Sequence, residues 1–277
     1  MSVINTNVKS MIAQNAMTVN NRTLGKSMEQ LSTGKRINSA GDDAAGLAIA
    51  NRMTAQIKAL DQSVRNANDG ISMMQTAEGA TKEITNMLQR MRELSVQASN
   101  DSYSSTDRTA IAAEVTQLTN EVTRIATNTQ WNGMAILGGA AAYSSMTFQV
   151  GTEGDATSAI TVGFSGMSAG ALTIGGTNLS FTTSVQAQAS IELLDTAITA
   201  VDTFRSGLGA RINRLTSAAD NLANVALNTS ASRSQIEDTD YAKTTTDLAK
   251  SQIIQQAATA MLAQANQAPQ SVLSLLK

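Results

Sequence analysis

The chain has 277 residues, with 20 Lys and Arg against 22 Asp and Glu, and neither Cys nor His. A net charge of −2 with only 15% charged residues excludes the basic footprint of a nucleic-acid binder, and the missing Cys and His exclude disulfides, thiolate chemistry and the commonest general base and metal ligand. Apolar residues reach 42% but aromatics only 3%, and proline occurs once, at Pro269, so narrow Ala-rich helix seams are expected rather than a core centred on aromatic rings.

The opening MSVINTNVKSMIAQN lacks the basic start and apolar run of a secretory leader, so if the protein leaves the cell, a route without a cleaved leader is expected. Residues 3–32 carry a helical pattern, with Ile4, Val8, Ile12, Ala16 and Val19 on one face and no charge from Ser10 to Asn21. Gly34 suits a left-handed helix end. A loop runs from Lys35 to Gly41, and Asp42 and Asp43 offer an N-cap and an acidic first turn to the next helix.

From Met53 the apolar residues fall at 53, 57, 60, 64, 67, 71 and 74, then 84, 88, 91 and 98, a heptad row that falters at Glu78-Gly79. Asn100 to Ser105 breaks it. Thr106 or Asp107 is placed to cap a third helix with Ile111, Val115, Leu118, Val122 and Ile125 in register, ending at the Trp131-Asn132-Gly133 turn. Residues 134–183 are rich in Gly, Ser and Thr and predict a β-hairpin region with strands at 147–150, 160–164, 172–174 and 179–181. Heptads return with Ile191, Leu194, Ile198, Val201, Leu208, Ile212, Leu215, Ala219 and Leu222, and Arg233 to Asp240 reads as a polar joint. A last helix from about Tyr241 carries Ile253, Ala257, Met261, Ala265, Val272 and Leu275, with no charge from Ser251 to Leu276. Six Gln interrupt that stretch, so it is not a membrane span.

The expected fold is mainly α: a long antiparallel coiled-coil bundle built from both chain halves, with the small β region in the middle. Residues 1–43 and 235–277 form a terminal coiled-coil domain, and 44–234 a helical bundle with its β insert. Uncharged, half-apolar helices at free termini must bury against each other or against other copies, and the rest of the sequence favours other copies.

Candidate chemistry is sparse. Gly207-Leu208-Gly209 and Gly138-Gly139 lack a phosphate-loop pattern and read as packing or turns. Asp42-Asp43 reads as helix capping rather than a cation site, and the thirteen Met as core filler. No cofactor or metal site is expected. On the second helix Arg90, Leu94 and Gln97 share a face beside Gln89, where an exposed Leu between polar neighbours could form a recognition surface.

Leu31-Ser32-Thr33-Gly34-Lys35-Arg36-Ile37-Asn38, Ala40-Gly41-Asp42-Asp43-Ala44-Ala45-Gly46-Leu47-Ala48-Ile49, Asn68-Asp69-Gly70, Thr129-Gln130-Trp131-Asn132-Gly133, Ile236-Glu237-Asp238-Thr239-Asp240-Tyr241-Ala242 and Gln264-Ala265-Asn266-Gln267-Ala268-Pro269-Gln270 together resemble bacterial flagellin. Trp131 stands where that family commonly has Phe. The resemblance implies an extracellular filament subunit for motility, exported uncleaved through the flagellar type III pathway. Polymerisation would rest on Ile4, Val8, Ile12, Val19, Ile253, Ala257, Met261, Val272 and Leu275. It implies partners: other copies, hook–filament junction and cap proteins, an export chaperone at the C-terminal helix, and a Toll-like innate immune receptor, but no nucleic acid and no membrane. The family's receptor contacts match at Gln89, Arg90, Leu94, Gln97 and Glu114. The insert of about 50 residues leaves no room for the family's outer variable domains, and its Ser144, Ser145 and Ser165 are candidate glycan acceptors. A junction protein shares the terminal pattern and is the nearest alternative. A metallopeptidase insert, found in some relatives, needs HExxH, which a chain without His lacks.

Overall fold

A computed structural model describes residues 6–139, 145–176 and 178–274. Five helices dominate: α1 (Val8–Thr33), α2 (Ala44–Ala98), α3 (Ser105–Asn128), α4 (Ser184–Glu237) and α5 (Tyr241–Ser274). Between α3 and α4 lie β1 (Gln130–Trp131), β2 (Met134–Ala135), β3 (Ser145–Gln149) and β4 (Ala159–Gly163). The mainly helical fold with helices from both halves paired, and hairpins between them, is as expected. The chain separates into two compact units: residues up to Ile57 with those from Leu227 onward, and Lys58–Ala226.

In the Lys58–Ala226 unit, α2 and α4 run antiparallel. Leu215 packs at Gly70, and Asp195 pairs with Arg92 at 2.5 Å. The α2 seam is Leu60, Ser63, Ala67, Gly70, Met74, Ala77, Thr81, Ile84, Leu88, Met91, Ser95 and Ala98, all buried, in an unbroken alternation of threes and fours. It departs from the expected row, because Met53, Ile57, Val64 and Ile71 are only half-buried. Small residues hold much of this seam and let helices approach closely, so a reading of large apolar residues skips them. Where the apolar row falters at Glu78-Gly79, α2 continues unbroken; Ala77 and Thr81 carry the seam past, and Gly79 is exposed, as a solvent-facing patch there would be.

The α3 helix returns antiparallel along α2. Arg108 donates to the Ala98 carbonyl at 2.9 Å near the turn, and Arg90 donates to Glu114 at 3.1 Å further along. Its cap is Ser104, not Thr106 or Asp107. The Ser104 hydroxyl accepts from the Asp107 N–H, and the Asp107 carboxylate accepts from the Ser104 N–H, a reciprocal capping box. On α4 the buried line is Ala187, Ser190, Leu194, Ala197, Val201, Phe204, Leu208, Leu215 and Ala219. Ile191, Ile198, Ile212 and Leu222 flank it half-buried.

β1 and β2 form a tight antiparallel hairpin. Its two loop residues, Asn132 and Gly133, have φ of 48° and 77°, the left-handed pair that a type I′ turn requires. β3 and β4 pair antiparallel from Ser145–Gly163 to Gln149–Ala159. The Asn66 side chain ties this hairpin to α2 by donating to the Gln149 carbonyl at 3.0 Å. The strands expected at 172–174 and 179–181 are absent. Residues 169–173 form turns, with Leu172 N–H donating to Ser168 O and Ile174 N–H to Ala169 O. Thr173 has φ of 57°, which no strand accommodates. Leu172, Ile174 and Phe181 are nonetheless buried, as single anchors rather than strand faces.

The terminal unit pairs α1 with α5. Gly34 ends α1 at φ 71°, as the sequence implied. The joint is shorter than expected, because α4 continues to Glu237 and leaves 238–240 as connector. Around it Lys35 pairs with Glu237 at 2.5 Å, Arg36 donates to the Ile236 carbonyl at 2.7 Å, and Thr239 N–H donates to the Gly34 carbonyl at 3.0 Å. Asp43 caps α2 by accepting from the Gly46 N–H at 2.8 Å. Asp42 accepts from the Asn38 and Ser39 N–H groups and pairs with Lys26 at 2.8 Å. These partners, Lys26 foremost, hold the Asp42 carboxyl far below the usual carboxylate range.

Candidate self-association surface

The two terminal helices meet through an unexpected face. On α1 the residues shielded from water are Ser10, Ala13, Met17, Asn20, Leu24, Ser27 and Leu31, in heptad spacing. On α5 they are Thr244, Leu248, Ser251, Gln255, Ala258, Leu262 and Ala265, again in heptad spacing. Many members of this seam are small or polar. Asn20 donates through Nδ2 to the Ser251 carbonyl at 2.8 Å, a buried bond, and Asn7 donates to the Ala265 carbonyl at 2.8 Å. Going from Asn7 to Asn20 down α1 means going from Ala265 back to Ser251 on α5, so the pair is antiparallel.

The apolar residues picked out as polymerisation contacts face away from this seam. Val8, Ile12 and Val19 on α1 are exposed, Ile12 at 65%. Ile253 and Met261 on α5 are each 66% exposed, and Ala257 between them is exposed too. An open groove of about 760 Å³ lies along the α1–α5 seam, where Ile12, Val19 and Ile254 meet the polar Asn20 and the charged Asp247 and Lys250. Ile4 and Leu275 lie outside the described residues, as does Ser144, and so does the side chain of Val272. Burial of the ends on each other or on other copies is therefore not a choice. The intramolecular pair uses one face and leaves a second apolar one uncovered.

The candidate recognition residues divide. Gln89, Arg90, Gln97 and Glu114 are exposed. Arg90 bridges Glu114 on α3 and Glu93 on its own helix, each at 3.1 Å. Both carboxylates, Glu93 first, strengthen the hold of that guanidinium on its proton. Leu94 is not exposed: it is 2% accessible and belongs to the core with Met91 and Ala98. It lies beside Met91 and Ser95 on the inward face of α2, so the expected exposed Leu is corrected.

The Met residues also divide. Met73, Met74, Met91 and Met167 are buried, but Met11, Met28 and Met261 are exposed on α1 and α5, so core filling does not describe them all. The Gly138-Gly139 pair is a turn, with Gly139 at φ 73° against Gly166. Ser145 and Ser165 are exposed. Among the described residues no group of His, Cys, Asp and Glu could hold a metal ion, and no helix is long and apolar enough to cross a membrane.

Comparison with known proteins decides the family. The profile of the bacterial flagellin N-terminal helical region matches residues 4–142, and that of the C-terminal helical region matches residues 191–276. The chain belongs to the bacterial flagellin family. It is 44% identical to a flagellin of Xenorhabdus nematophila over 100% of this chain and 99% of that one. It is 42% identical to a flagellin of Halalkalibacterium halodurans over 99% of this chain and 100% of that one. Bacillus cereus flagellin, seen in a crystal structure, superposes over 57% of this chain and 88% of its own with a TM-score of 0.50 at 31% identity. As a flagellin, the chain is a structural, non-enzymatic subunit that self-assembles into the flagellar filament.

Proposed function

We propose that filament growth is driven by the outward apolar stripes of the terminal helices: Val8, Ile12 and Val19 on one, Ile253, Ala257 and Met261 on the other. The observation that carries this reading is the sorting of side chains. The α1–α5 seam shelters Met17, Leu24, Leu31, Leu248 and Leu262 among small and polar residues, while Val8, Ile12, Val19, Ile253 and Met261 stand in water. Burying apolar surface between copies contributes roughly 25 cal/mol per Å². The uncharged stretches beside the stripes remove like-charge repulsion between crowded copies. Contact of one face with a different face on the next copy gives an open helical filament. The terminal segments, 1–43 and 235–277, are on this reading the inner domain. The same α5 stripe suits an export chaperone before assembly, and filament ends suit junction and cap proteins.

Ile253→Asp places a charge in the stripe without touching the seam. Seeded elongation should stop while the melting of the Lys58–Ala226 unit is unchanged. Elongation at the parental rate would contradict the proposal.

A second reading concerns the immune receptor. The exposed ladder of Gln89, Arg90, Gln97 and Glu114 supports recognition there, through polar contacts and without Leu94. Arg90→Ala should weaken receptor binding by about tenfold, the cost of roughly one charge-assisted hydrogen bond, and unchanged binding would refute it.

A further inference from the structure

We propose that Met11 and Met261 form an oxidation-sensitive switch on subunit addition. The inference rests on the stripes being the assembly surface, and it adds a regulation that assembly alone does not require. With no Cys in the chain, every oxidisable sulfur is a thioether. The fold grades these thioethers: Met17, Met53, Met87, Met134 and Met146 are half-buried, and Met28 on α1 is exposed at 57%. Met73, Met74 and Met91 are 0–1% accessible in the helical core, while Met11 is 60% and Met261 66% exposed. Met11 stands next to Ile12, and Met261 ends the Ile253–Ala257–Met261 ladder. The α5 stretch around Met261 has no charged residue to mask a change in polarity.

A peroxide delivers one oxygen atom to the exposed Sδ. The O–O bond breaks, a sulfur–oxygen bond forms, and the second oxygen leaves as water when the oxidant is hydrogen peroxide. The sulfur loses two electrons and the peroxide gains them. The product is a polar sulfoxide in place of a flexible apolar side chain, and methionine sulfoxide reductase reverses it. Oxygen on either sulfur must be desolvated when the stripe is covered, so the oxidised subunit adds poorly. Once a subunit has added, the same burial shields both sulfurs. The switch therefore acts on free subunits and spares the finished filament.

The test treats full-length subunits with hydrogen peroxide until mass spectrometry finds Met11 and Met261 oxidised and Met73, Met74 and Met91 intact. Seeded elongation should fall by about tenfold or more, and sulfoxide reductase should restore it. The double variant Met11→Leu, Met261→Leu should elongate equally with and without peroxide. Normal elongation by subunits oxidised at both positions would overturn the switch. Met11→Gln with Met261→Gln, without peroxide, separates the two levels of the argument. If this polar pair elongates normally, the stripe is not the assembly surface and the underlying reading falls as well. If it fails to elongate while peroxide-treated subunits still grow, only the switch falls.

Discussion

At the scale of single residues, glycines show how one position type serves opposite needs. Gly46, in the first turn of α2, is packed from two sides. A Cβ there would sit 2.5 Å from the Asp43 carboxylate and 2.7 Å from Ile37 Cδ1. Ile37 is buried and Asp43 caps the helix, so neither yields freely. Gly79 lies mid-helix with nothing within 4 Å of its Cβ position. Gly in a helix interior costs about 1 kcal/mol relative to Ala. Gly79→Ala should therefore stabilise by about 0.5–1 kcal/mol and raise the melting temperature by roughly 2–4 °C. Gly46→Ala should destabilise the terminal unit despite its better propensity. Calorimetry on both variants checks the opposite signs.

Three helix caps were equally a matter of single residues. Gly34 and Asp43 were readable, since each sits just outside a run of helix formers. Ser104 was not, because Ser104, Ser105, Thr106 and Asp107 all cap well and only the reciprocal bonds choose among them.

At the scale of elements, helix existence was legible and helix faces only in part: Leu60, Met74, Leu88, Leu194 and Leu208 are buried as the heptads implied, but Val64, Ile71, Ile198 and Ile212 are only half-buried. The long heptad runs disclosed α2 and α4 because apolar periodicity survives over many turns. Part of the α2 seam was hidden by Ser63, Gly70, Ala77, Thr81 and Ser95, whose value lies in being small. Residues 172–174 alternate like a strand, yet Leu172 and Ile174 are anchored singly by turns, an outcome of tertiary packing rather than local pattern. On the candidate surface, the stripes were legible as apolar residues at helical spacing, but not the seam on the other side, where Leu24, Leu31, Leu248 and Leu262 alternate with small and polar residues. Leu94 was misread because its polar neighbours in sequence are not its neighbours in space.

The link between α1 and the start of α2 makes a pH prediction. Asp42 is held ionised by Lys26 first, then by the Ser39 and Asn38 N–H groups. Its folded pKa lies below its unfolded value. Its stabilising contribution is thus complete above the ordinary Asp range near 4 and is lost as pH falls below it. In Asp42→Asn the deficit relative to the parent should be full at pH 7 and shrink toward pH 2, measured by urea unfolding at each pH. A deficit independent of pH would contradict the role given to the Lys26 pair.

At the scale of the whole molecule, the sequence carries two different solutions to burying helices. The Lys58–Ala226 unit closes its own core, with Met73, Ile84, Leu88, Leu194 and Leu208 fully shielded. The terminal helices do so only in part: they pair through Leu24, Leu31, Leu248 and Leu262 among Asn, Ser, Thr and Ala, and leave Ile12, Ile253 and Met261 in water. A monomeric protein gains nothing by that arrangement. A subunit that completes its burial only in a filament does.

The absence of native cysteine allows a direct measurement of that claim. A single Ile253→Cys reports the outward stripe, and a single Ser251→Cys reports the seam two residues away. The rate of maleimide labelling would be compared between free subunits and filaments grown from the same variant. The account predicts that Cys at 253 reacts fast in subunits and about tenfold or more slowly in filaments, while Cys at 251 is slow in both. Equal reactivity of the 253 thiol before and after assembly would contradict the account, because the apolar stripe would then remain in water in the finished fibre.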